Sequence, residues 1–349
     1  MYFSDELIRW YAGHKRDLPW RHSRDPYVIW LSEIILQQTR VQQGLPYFHR
    51  FLDAYPTVGD FARAPEEEIL RHWQGLGYYS RARNMLKAAE MVMTDFQGIF
   101  PSDFDSLLRL PGIGVYTASA ISSFASDEHR AVVDGNVYRV LARFFGIETP
   151  INSPAGIKLF QQLALEMLPS GQSALYNQAI MEFGALQCKP QNPACGSCPL
   201  QPSCYAYSNH KTGEFPVKLK SAKSRNRYFH YFIIREGEGV WMQQRKGGDI
   251  WENLYEFPLI EGTEPTTDSG LVDPGQVCST FGAQVEFVYS SGIIKHVLSH
   301  QNIYARFYEI RNVHSEVLKN PALNYVLIKD LDKLAKPKLM YSFIEQYLI

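Results

Sequence analysis

The sequence lacks a long hydrophobic run, a secretory leader pattern and an excess of charge of either sign. No stretch of 18 apolar residues occurs among the 349 residues, so we expect neither a transmembrane helix nor a membrane partner. Residues 1–15 contain Asp5 and Glu6 and no apolar segment, so neither a secretory signal nor a transit peptide is expected. Because 35 basic residues face 36 acidic ones, net charge gives no support for nucleic-acid binding, which would have to rest on local motifs.

Cysteine is scarce, and its distribution is uneven. Four of the five cysteines have the spacing Cys188-x6-Cys195-x2-Cys198-x5-Cys204, which is typical of a metal site in a reducing compartment rather than of a disulfide framework. Zinc sites usually pair their cysteines in two short halves, and only one such half occurs here, which favours a [4Fe–4S] cluster. Zinc and four unrelated thiols remain the alternatives. The fifth cysteine, Cys278, is expected to be a core residue.

Apolar residues recur at helical spacing through residues 1–205, with short Gly-, Pro-, Asn- or Ser-containing turns between them, which predicts a compact all-α region. Helices are expected at Asp5–Tyr11, Val28–Gln43, Glu66–Trp73, Arg81–Phe96, Phe104–Leu108, Val115–Ser123, Val137–Phe145, Gly156–Leu168 and Ser173–Leu186. Further on the period becomes two, and strands are expected at Tyr228–Ile234, Val240–Gln244, Leu254–Pro258, Val285–Tyr289 and Asn302–Ile310. With an amphipathic helix over Leu331–Leu348, broken at Pro337, residues 228–349 are predicted to form a smaller α/β domain.

A basic segment at residues 211–227 separates the two regions. It contains a single acidic residue, Glu214, and two interpretations stay open: a solvated linker, or a segment close to a phosphate backbone. Its basic residues are Lys211, Lys218, Lys220, Lys223, Arg225 and Arg227.

The segment Leu110–Ala118 reads Leu-Pro-Gly-Ile-Gly-Val-Tyr-Thr-Ala and is predicted to join two helices. Gly112 and Gly114 let the backbone approach a phosphate closely, and the following helix presents unpaired N–H donors at its N-terminus. This is the pattern of a helix-hairpin-helix, which holds a DNA backbone without reading its sequence. A plain turn between two helices is the alternative.

Two carboxylates are candidates for acid–base chemistry. Asp134 follows an apolar pair and precedes a predicted helix, where an aspartate usually acts only as an N-cap. Glu33 lies at the polar edge of an otherwise apolar helix, where an acidic residue usually serves the helix dipole. Each carboxylate alone would therefore be structural, and a catalytic role requires the other as partner.

The ordered motifs resemble one family, over nearly the whole chain. They are Leu18–Arg21, Ser32–Arg40, Gly75–Ser80, Leu110–Ala118, Val133–Asn136 and the four cysteines. This is the pattern of the endonuclease III superfamily, and within it of the MutY-type adenine DNA glycosylases, whose substrate is adenine mispaired with 8-oxoguanine or guanine. The resemblance favours the cluster over zinc and a catalytic role for both carboxylates.

The resemblance implies a glycosylase region over residues 1–210. A six-helix domain is expected at roughly 25–130, and a [4Fe–4S]-bearing domain is expected from the N-terminal helix together with roughly 131–210, with DNA in the cleft. Residues 211–227 would be the linker, and residues 228–349 a Nudix-like domain that recognises the lesion. The partner implied is double-stranded DNA with an adenine mispair, bound by a monomer; in a bacterium the protein would be cytoplasmic and associated with the nucleoid.

The resemblance also assigns roles to individual residues. Glu33 would protonate adenine at N7 and later activate water, and Asp134 would stay ionised and stabilise the sugar cation, with Tyr116 and Asn136 orienting both. The adenine pocket would comprise Arg16, Leu18, Trp20, Arg21 and Glu182. The residues that fill or wedge the stack around 8-oxoguanine would be Gln38, Thr39, Leu76 and Tyr78, unless Tyr78 and Tyr79 are merely surface aromatics beside a glycine turn.

Tyr116 decides a sub-class. Relatives that also cut the DNA strand carry a lysine at this position, where an amine can form a Schiff base. The tyrosine implies a monofunctional enzyme, and Tyr138, which stands where some relatives carry an adventitiously reactive lysine, points the same way.

The C-terminal region resembles a Nudix domain without its catalytic box, because no metal-binding carboxylate pattern follows Gly247–Pro258. Hydrolysis is therefore not expected, and recognition remains. Residues 296–300 match the family's 8-oxoguanine loop, with Ser299 and His300 as contacts and Leu298 in place of the frequent aromatic residue. Two rival functions stay open: a non-catalytic lesion-binding protein, and a bifunctional pyrimidine glycosylase.

Overall fold

The computed structural model describes residues 2–220, 224–262 and 272–348. The chain forms two compact units. The first comprises residues 1–63 and 84–221, and the second comprises residues 64–83 and 222–349. Lys223 of the basic segment lies outside the described residues. Within the described residues, no helix is both long enough and apolar enough to cross a membrane.

The first 210 residues are helical, as the sequence predicts. The helices are α1 Tyr2–His14, α2 Pro26–Leu36, α3 Val41–Ala54, α4 Val58–Arg63, α5 Glu66–Trp73, α6 Ser80–Asp95, α7 Phe104–Leu108, α8 Val115–Ser126, α9 Gly135–Phe145, α10 Pro154–Glu166, α11 Ser173–Leu186 and α12 Tyr205–Ser208. Short 3-10 turns occur at Pro19–Arg21, Cys195–Ser197 and Gln201–Ser203.

Local capping explains where several of these helices begin and end. The Asp25 carboxylate accepts the N–H of Tyr27 at the start of α2, with Pro26 in the first turn. Asp134 caps α9 in the same way, and Gly146 ends that helix in the left-handed conformation. The helix expected over Val28–Gln43 is wrong in its extent, because α2 ends at Leu36 and the chain turns through Gln38, whose φ is +57°, before α3 begins.

A buried apolar cluster holds α1, α9, α10 and α11 together. The approach of α9 to α11 depends on Gly184, since a Cβ there would lie 2.6 Å from the Cβ of Asn136. This close packing places the N-terminus of α9 against α11, the helix that carries Glu182. Two predicted site segments, distant in sequence, therefore meet in the first unit.

The second unit is built on a mixed sheet. Its strands are β1 Arg225–Glu236, β2 Gly239–Gln244, β3 Tyr255–Glu256, β4 Leu259–Gly262, β5 Glu286–Ser290, β6 Ile294–Val297, β7 Gln301–Arg311 and β8 Leu323–Leu327. Helices α13 Pro274–Phe281, α14 Ser315–Leu318 and α15 Lys338–Tyr347 accompany it, with a 3-10 turn at Ile328–Lys333. Strand β1 is central: it pairs parallel with β7 and antiparallel with β2 and β4.

The side chains of β1 alternate between two cores. Phe229, Tyr231 and Ile233 face a cluster that includes α15, whereas Phe232 faces a cluster that includes α13. The period of two in the sequence is therefore confirmed, and the sheet lies between the two helices. The break of the C-terminal helix at Pro337 is also confirmed, since the 3-10 turn precedes it and α15 follows.

Three details differ from the sequence-based expectations. Arg225 and Arg227 belong to β1 rather than to a linker, because they pair with β7 residues. Cys278 is exposed, not in the core, because α13 buries Val277 and Phe281 on its other face. Residues 64–83, including α5, belong to the second unit and not to the helical one.

A candidate active site and a four-cysteine loop

A cavity of about 920 Å³ opens in the first unit. It is lined by parts of α2, of the turn before α8, and of α9 and α11. Most of the site residues predicted in the helical region line it, and they are Arg16, Leu18, Trp20, Arg21, Glu33, Gln38, Thr39, Gly112, Gly114, Tyr116, Asp134, Asn136 and Glu182. Residues from four of the ordered motifs, together with Arg16 and Glu182, therefore meet around one space.

Glu33 projects from α2 and is only 8% exposed. Its carboxylate accepts a hydrogen bond from the Tyr116 hydroxyl, with 3.1 Å between the oxygens. Burial raises the pKa of Glu33 to about 7, since the Tyr116 bond and the more distant Arg21 offset only part of the lost hydration. Burial raises the pKa of Tyr116 well above its usual value, so this phenol stays a donor to Glu33.

Asp134 is the half-buried N-cap of α9. Its Oδ1 accepts the backbone N–H groups of Asn136 and Val137, both at 2.8 Å, and its Oδ2 accepts the Asn136 side-chain amide at 2.7 Å. Burial raises the pKa of Asp134, and these three donors together with Arg139 oppose the rise. The Asp134 side chain thus caps α9 and also lines the cavity.

The two carboxyl groups differ in how well their anions are stabilised. Glu33 has one hydroxyl donor, whereas Asp134 has three N–H donors and the field at the start of α9. Glu33 therefore holds a proton more readily than Asp134 does. This is the division that acid–base catalysis with two carboxyl groups requires.

Glu182 forms a charged wall of the cavity. It is 1% exposed and accepts hydrogen bonds from the guanidinium groups of both Arg16 and Arg21, at 2.6–3.1 Å. Although burial favours the neutral acid, these bonds lower the pKa of Glu182 to about 2. The Arg21 guanidinium also lies 5.6 Å from the centre of the Tyr11 ring. Glu182 is therefore a permanently ionised, doubly paired carboxylate.

Apolar and amide groups complete the lining. Leu18 is buried, and the Trp20 ring packs edge-on against Phe48. Gln38 and Thr39 lie in the turn between α2 and α3. Gln37, which the sequence did not single out, also lines the cavity, and its side-chain amide donates to Thr117 Oγ1 at 3.3 Å.

The predicted hairpin forms between α7 and α8. Gly112 has φ +79°, and a Cβ there would lie 2.8 Å from the Cβ of Asn84, so glycine is required on both grounds. Gly114 caps α8, and nothing lies within 4 Å of the position that its Cβ would take. The backbone at the start of α8 is therefore open on the side that a Gly114 side chain would fill, which leaves room for a backbone phosphate.

The remaining predicted contacts belong to the second unit. Leu76 is buried, whereas Tyr78 is 41% exposed with φ +49°. Ser299 and His300 lie in the turn between β6 and β7, where the Leu298 N–H donates to the Gln301 carbonyl at 2.9 Å. Tyr78, Ser299 and His300 therefore lie in exposed turns of that unit, whereas Leu76 is buried.

The four cysteines follow α11 in one loop. All are partly exposed, none is in a disulfide, and Cys188, Cys198 and Cys204 pack against the buried apolar cluster of the first unit. Arg143 contacts two of them, with Nη1 3.4 Å from Cys188 Sγ and its carbonyl 3.6 Å from Cys204 Sγ. Over the described ranges, no three His, Cys, Asp or Glu side chains are arranged to hold a single metal ion.

Sequence analysis missed Arg139. This residue connects the N-terminal end of α9, where Asp134 lies, to the cysteine loop. Its guanidinium donates to the carbonyls of Cys188 and Gly184, both at 2.7 Å, and to Asn136 Oδ1 at 2.8 Å. The available signal was an arginine about one turn after Asp134 on the same predicted helix, but most arginines of an amphipathic helix are exposed, and the sequence does not show that Arg139 is buried.

Comparison with known proteins agrees with this architecture. Residues 31–162 match the family model described as "HhH-GPD superfamily base excision DNA repair protein", and residues 230–346 match the NUDIX domain. Among solved structures, a thermostable thymine-DNA glycosylase is 32% identical with a TM-score of 0.56, covering 59% of this chain and 95% of that one. An endonuclease III–DNA complex is 25% identical with a TM-score of 0.53, covering 60% of this chain and 95% of that one.

The relatives in sequence extend across both units. The adenine DNA glycosylase of Buchnera aphidicola subsp. Schizaphis graminum is 36% identical over 263 residues, which is 74% of this chain and 75% of the relative. The adenine DNA glycosylase of Mus musculus is 40% identical over 310 residues, covering 74% of this chain and 60% of the relative. The chain therefore belongs to the adenine DNA glycosylase family of base excision DNA repair proteins.

Proposed function

We propose that this protein hydrolyses the N-glycosidic bond of adenine mispaired with 8-oxoguanine or guanine in double-stranded DNA, as a monomer and without cutting the strand. The observation that carries the proposal is the pair of unequal carboxyl groups, Glu33 and Asp134, that line one cavity. Family membership and the names of the relatives support adenine as the base removed. The target base must leave the duplex, since its reacting atoms are covered in the stack.

Glu33 acts first, as the acid. With a pKa of about 7 it holds a proton in roughly half of the molecules at neutral pH, and it delivers this proton to adenine N7. The bond between C1′ and N9 then breaks, and its electron pair leaves with the adenine ring. Protonation makes the leaving base neutral, which an unassisted adenine anion is not.

Asp134 acts on the sugar. Bond cleavage leaves a positive charge shared between C1′ and the ring oxygen, and the Asp134 anion stabilises that charge. The Glu33 carboxylate, having lost its proton, accepts one from a water molecule as the water oxygen bonds to C1′. Glu33 is thereby reprotonated, and Tyr116 and Asn136 hold the two carboxyl groups in place.

A lyase step is not part of the proposal. Schiff-base chemistry requires an amine at the sugar, and among the described residues that line the cavity no side chain is a lysine. Tyr116 occupies the predicted amine position and is committed to Glu33. The product is therefore an abasic site in an intact strand.

We further propose that Cys188, Cys195, Cys198 and Cys204 hold one [4Fe–4S] cluster. The donor set fits, because one loop offers four unbridged thiols and Arg143 contacts two of them. When bound, the cluster supplies a compact centre that cross-links the loop beside Arg143. A brown purified protein with about four irons per chain would agree with this, and a colourless protein with one zinc would contradict it.

Discrimination for 8-oxoguanine is assigned to the turn after β6. Ser299 and His300 carry short polar groups at an exposed site, which can hydrogen-bond the altered edge of the base. The Nudix-like domain has no catalytic carboxylate helix in its sequence, so it serves recognition.

The decisive experiment presents duplexes with adenine opposite 8-oxoguanine, guanine, cytosine or thymine, and scores alkali-labile sites under single-turnover conditions. The expected result is cleavage after alkali at adenine opposite the two purines. Glu33→Gln is the matched control, since its amide keeps the shape of the carboxyl group. Binding of the mispairs with no release of adenine by the parent protein would favour the non-catalytic alternative.

A further inference from the structure

Residues 64–83 carry α5, the glycine turn with Tyr78 and the start of α6, and they form part of the second unit. We call this stretch the wedge segment. Its sequence lies within the helical region, so its membership of the unit built on the C-terminal sheet requires specific contacts. Those contacts are not explained by adenine excision.

Three polar contacts attach the wedge segment to the C-terminal residues. Before the turn, Glu66 Oε1 accepts the Asn253 side-chain amide at 2.5 Å. After the turn, the Tyr79 hydroxyl donates to the Lys336 carbonyl at 3.0 Å, and Arg83 donates to both the carbonyl and the carboxylate of Glu252, at 2.9 and 3.0 Å. The attachments thus lie on both sides of the turn.

The C-terminal partners are themselves held in place. Lys336 is fully buried, and its ammonium group donates to the carbonyls of Leu331 and Leu334, which fixes the stretch whose carbonyl accepts Tyr79. The chain beside Glu252 is held as well, since the Asn253 N–H donates to the Arg245 carbonyl at 3.0 Å and the Asn253 carbonyl accepts the Gln244 side-chain amide at 3.0 Å. The contacts therefore end on ordered groups rather than on free side chains.

The turn between these attachments is held by its own hydrogen bonds, and the side chain at its tip is exposed to solvent. The Gly77 carbonyl accepts both the Trp73 indole N–H, at 2.9 Å, and Arg81 at 3.2 Å, and the Arg81 guanidinium lies over the Trp73 and Tyr78 rings. Tyr79 is buried at its attachment, whereas Tyr78 is exposed. A rigid base with one exposed aromatic side chain suits insertion into a base stack.

We propose that Tyr79 and Arg83 are positioning residues through which the C-terminal domain holds Tyr78, so that discrimination for 8-oxoguanine depends on them as well as on Ser299 and His300. This inference rests on the proposed substrate. It gives the C-terminal domain a second role, since the domain fixes the wedge segment in addition to contacting the lesion. Tyr79 and Arg83 do not touch the DNA in this proposal, and they act only through the turn.

The test uses the full-length protein with Tyr79→Phe, which removes one hydroxyl, and Arg83→Met, which removes the pairing with Glu252. Tyr27→Phe is the matched control, because the Tyr27 hydroxyl also donates from a buried ring to a backbone carbonyl, that of Tyr55, in the first unit. Affinity is measured for duplexes in which a tetrahydrofuran abasic analogue faces 8-oxoguanine or guanine. Hydrogen exchange of residues 75–83 is followed in the free proteins.

The expected result is a preference for 8-oxoguanine that falls about three- to tenfold in Tyr79→Phe and Arg83→Met, with faster exchange in residues 75–83 and parental behaviour of Tyr27→Phe. Parental affinity ratios in both variants would overturn the proposal, as would unchanged exchange. Neither measurement depends on base release. A protein that fails to excise adenine would therefore refute the proposed function, while the affinity ratios and exchange rates would still decide whether Tyr79 and Arg83 position the turn.

Discussion

Glu33 is a buried carboxyl group with a single hydrogen-bond donor, the Tyr116 hydroxyl. The simplest test replaces it by a side chain of the same shape that has no acidic proton. Glu33→Gln keeps the volume and can still accept from Tyr116, but it cannot transfer a proton. We expect excision to fall by at least about a hundredfold, since general acid catalysis contributes about 10²- to 10⁴-fold, with duplex affinity unchanged. Single-turnover rates within tenfold of the parent would contradict the assignment.

The same substitution should alter stability in a pH-dependent way. The pKa of Glu33 is raised from 4.5 to about 7 in the folded protein, so the folded state holds this proton more tightly than the unfolded chain does. The stabilisation is complete below about pH 4.5 and is lost as the pH rises to about 7, by an upper limit of about 3 kcal/mol.

Glu33→Gln has no proton to lose at this position, so its stability relative to the parent should rise between pH 5 and pH 8 by about 2–3 kcal/mol. Urea unfolding followed by circular dichroism at both pH values measures this difference. A constant difference would mean that Glu33 titrates near its ordinary pKa in the folded protein.

Tyr116 leads to a prediction about the product. Its hydroxyl is bound to Glu33, and it stands where strand-cutting relatives carry an amine. We expect no strand break before alkali treatment and no borohydride-trapped adduct while adenine is released. Trapping that keeps pace with release would show that another amine reaches the sugar, and that the enzyme is bifunctional.

At the scale of elements, α9 connects two parts of the site. Asp134 caps its first turn, Arg139 reaches Asn136 and Cys188 from its second turn, and Arg143 reaches the cysteine loop from its last turn. The helix therefore links the cysteine loop to the end of the cavity where Asp134 lies.

We expect Arg139→Met to lower adenine excision about tenfold or more, because Asn136 loses a partner and buried carbonyls are left without a donor. Arg143→Met is the control, since Arg143 contacts the loop but not Asn136. The measurement is excision rate together with iron content. If both variants lose activity only in proportion to lost iron, Arg139 supports the loop alone.

The sequence predicts most elements because capping and periodicity are local. Phe104–Leu108 and Ser173–Leu186 match the predicted helix bounds, and the alternating strands are found near their expected positions. Elements whose limits depend on packing are missed. The helix expected to continue past Leu36 ends there although neither glycine nor proline marks the break, and the short strand β6 owes its conformation to pairing with β7.

The candidate site could be predicted where a motif carries the chemistry. Glu33, Asp134 and Glu182 are far apart in sequence, but the family resemblance named all three as site residues, and all three line the cavity. Arg139 and the attachment of Tyr79 to Lys336 could not be predicted, because each depends on which surface another element presents. Tertiary contacts of this kind leave no periodic signal in the chain.

At the scale of the whole molecule, we expect recognition to be separable from catalysis. Every carboxylate of the cavity lies before residue 205, whereas Ser299 and His300 lie beyond the basic segment. Replacing both by alanine should reduce the preference for 8-oxoguanine over guanine about ten- to a hundredfold, the effect of one or two lost hydrogen bonds, with little change in excision opposite guanine.

Single-turnover excision and affinity on both mispairs measure this effect. Removal of residues 221–349 is the harsher version of the experiment, because it would also take away the packing partners of residues 64–83. An undiminished preference in the double alanine variant would assign recognition to Gln38, Thr39 and Tyr78 alone.

The division of the chain into two units has a consequence for biosynthesis. Residues 64–83 leave the ribosome early, but the residues that bind Tyr79 and Arg83 are made some 170 to 260 positions later. Strand β1 likewise cannot pair with its parallel neighbour β7 until β7 has been synthesised. During synthesis the nascent chain therefore carries an unpaired amphipathic segment, with Ile69, Leu70 and Trp73 on its apolar face, between two stretches of the helical unit. In this interval a chaperone would have an apolar surface to bind.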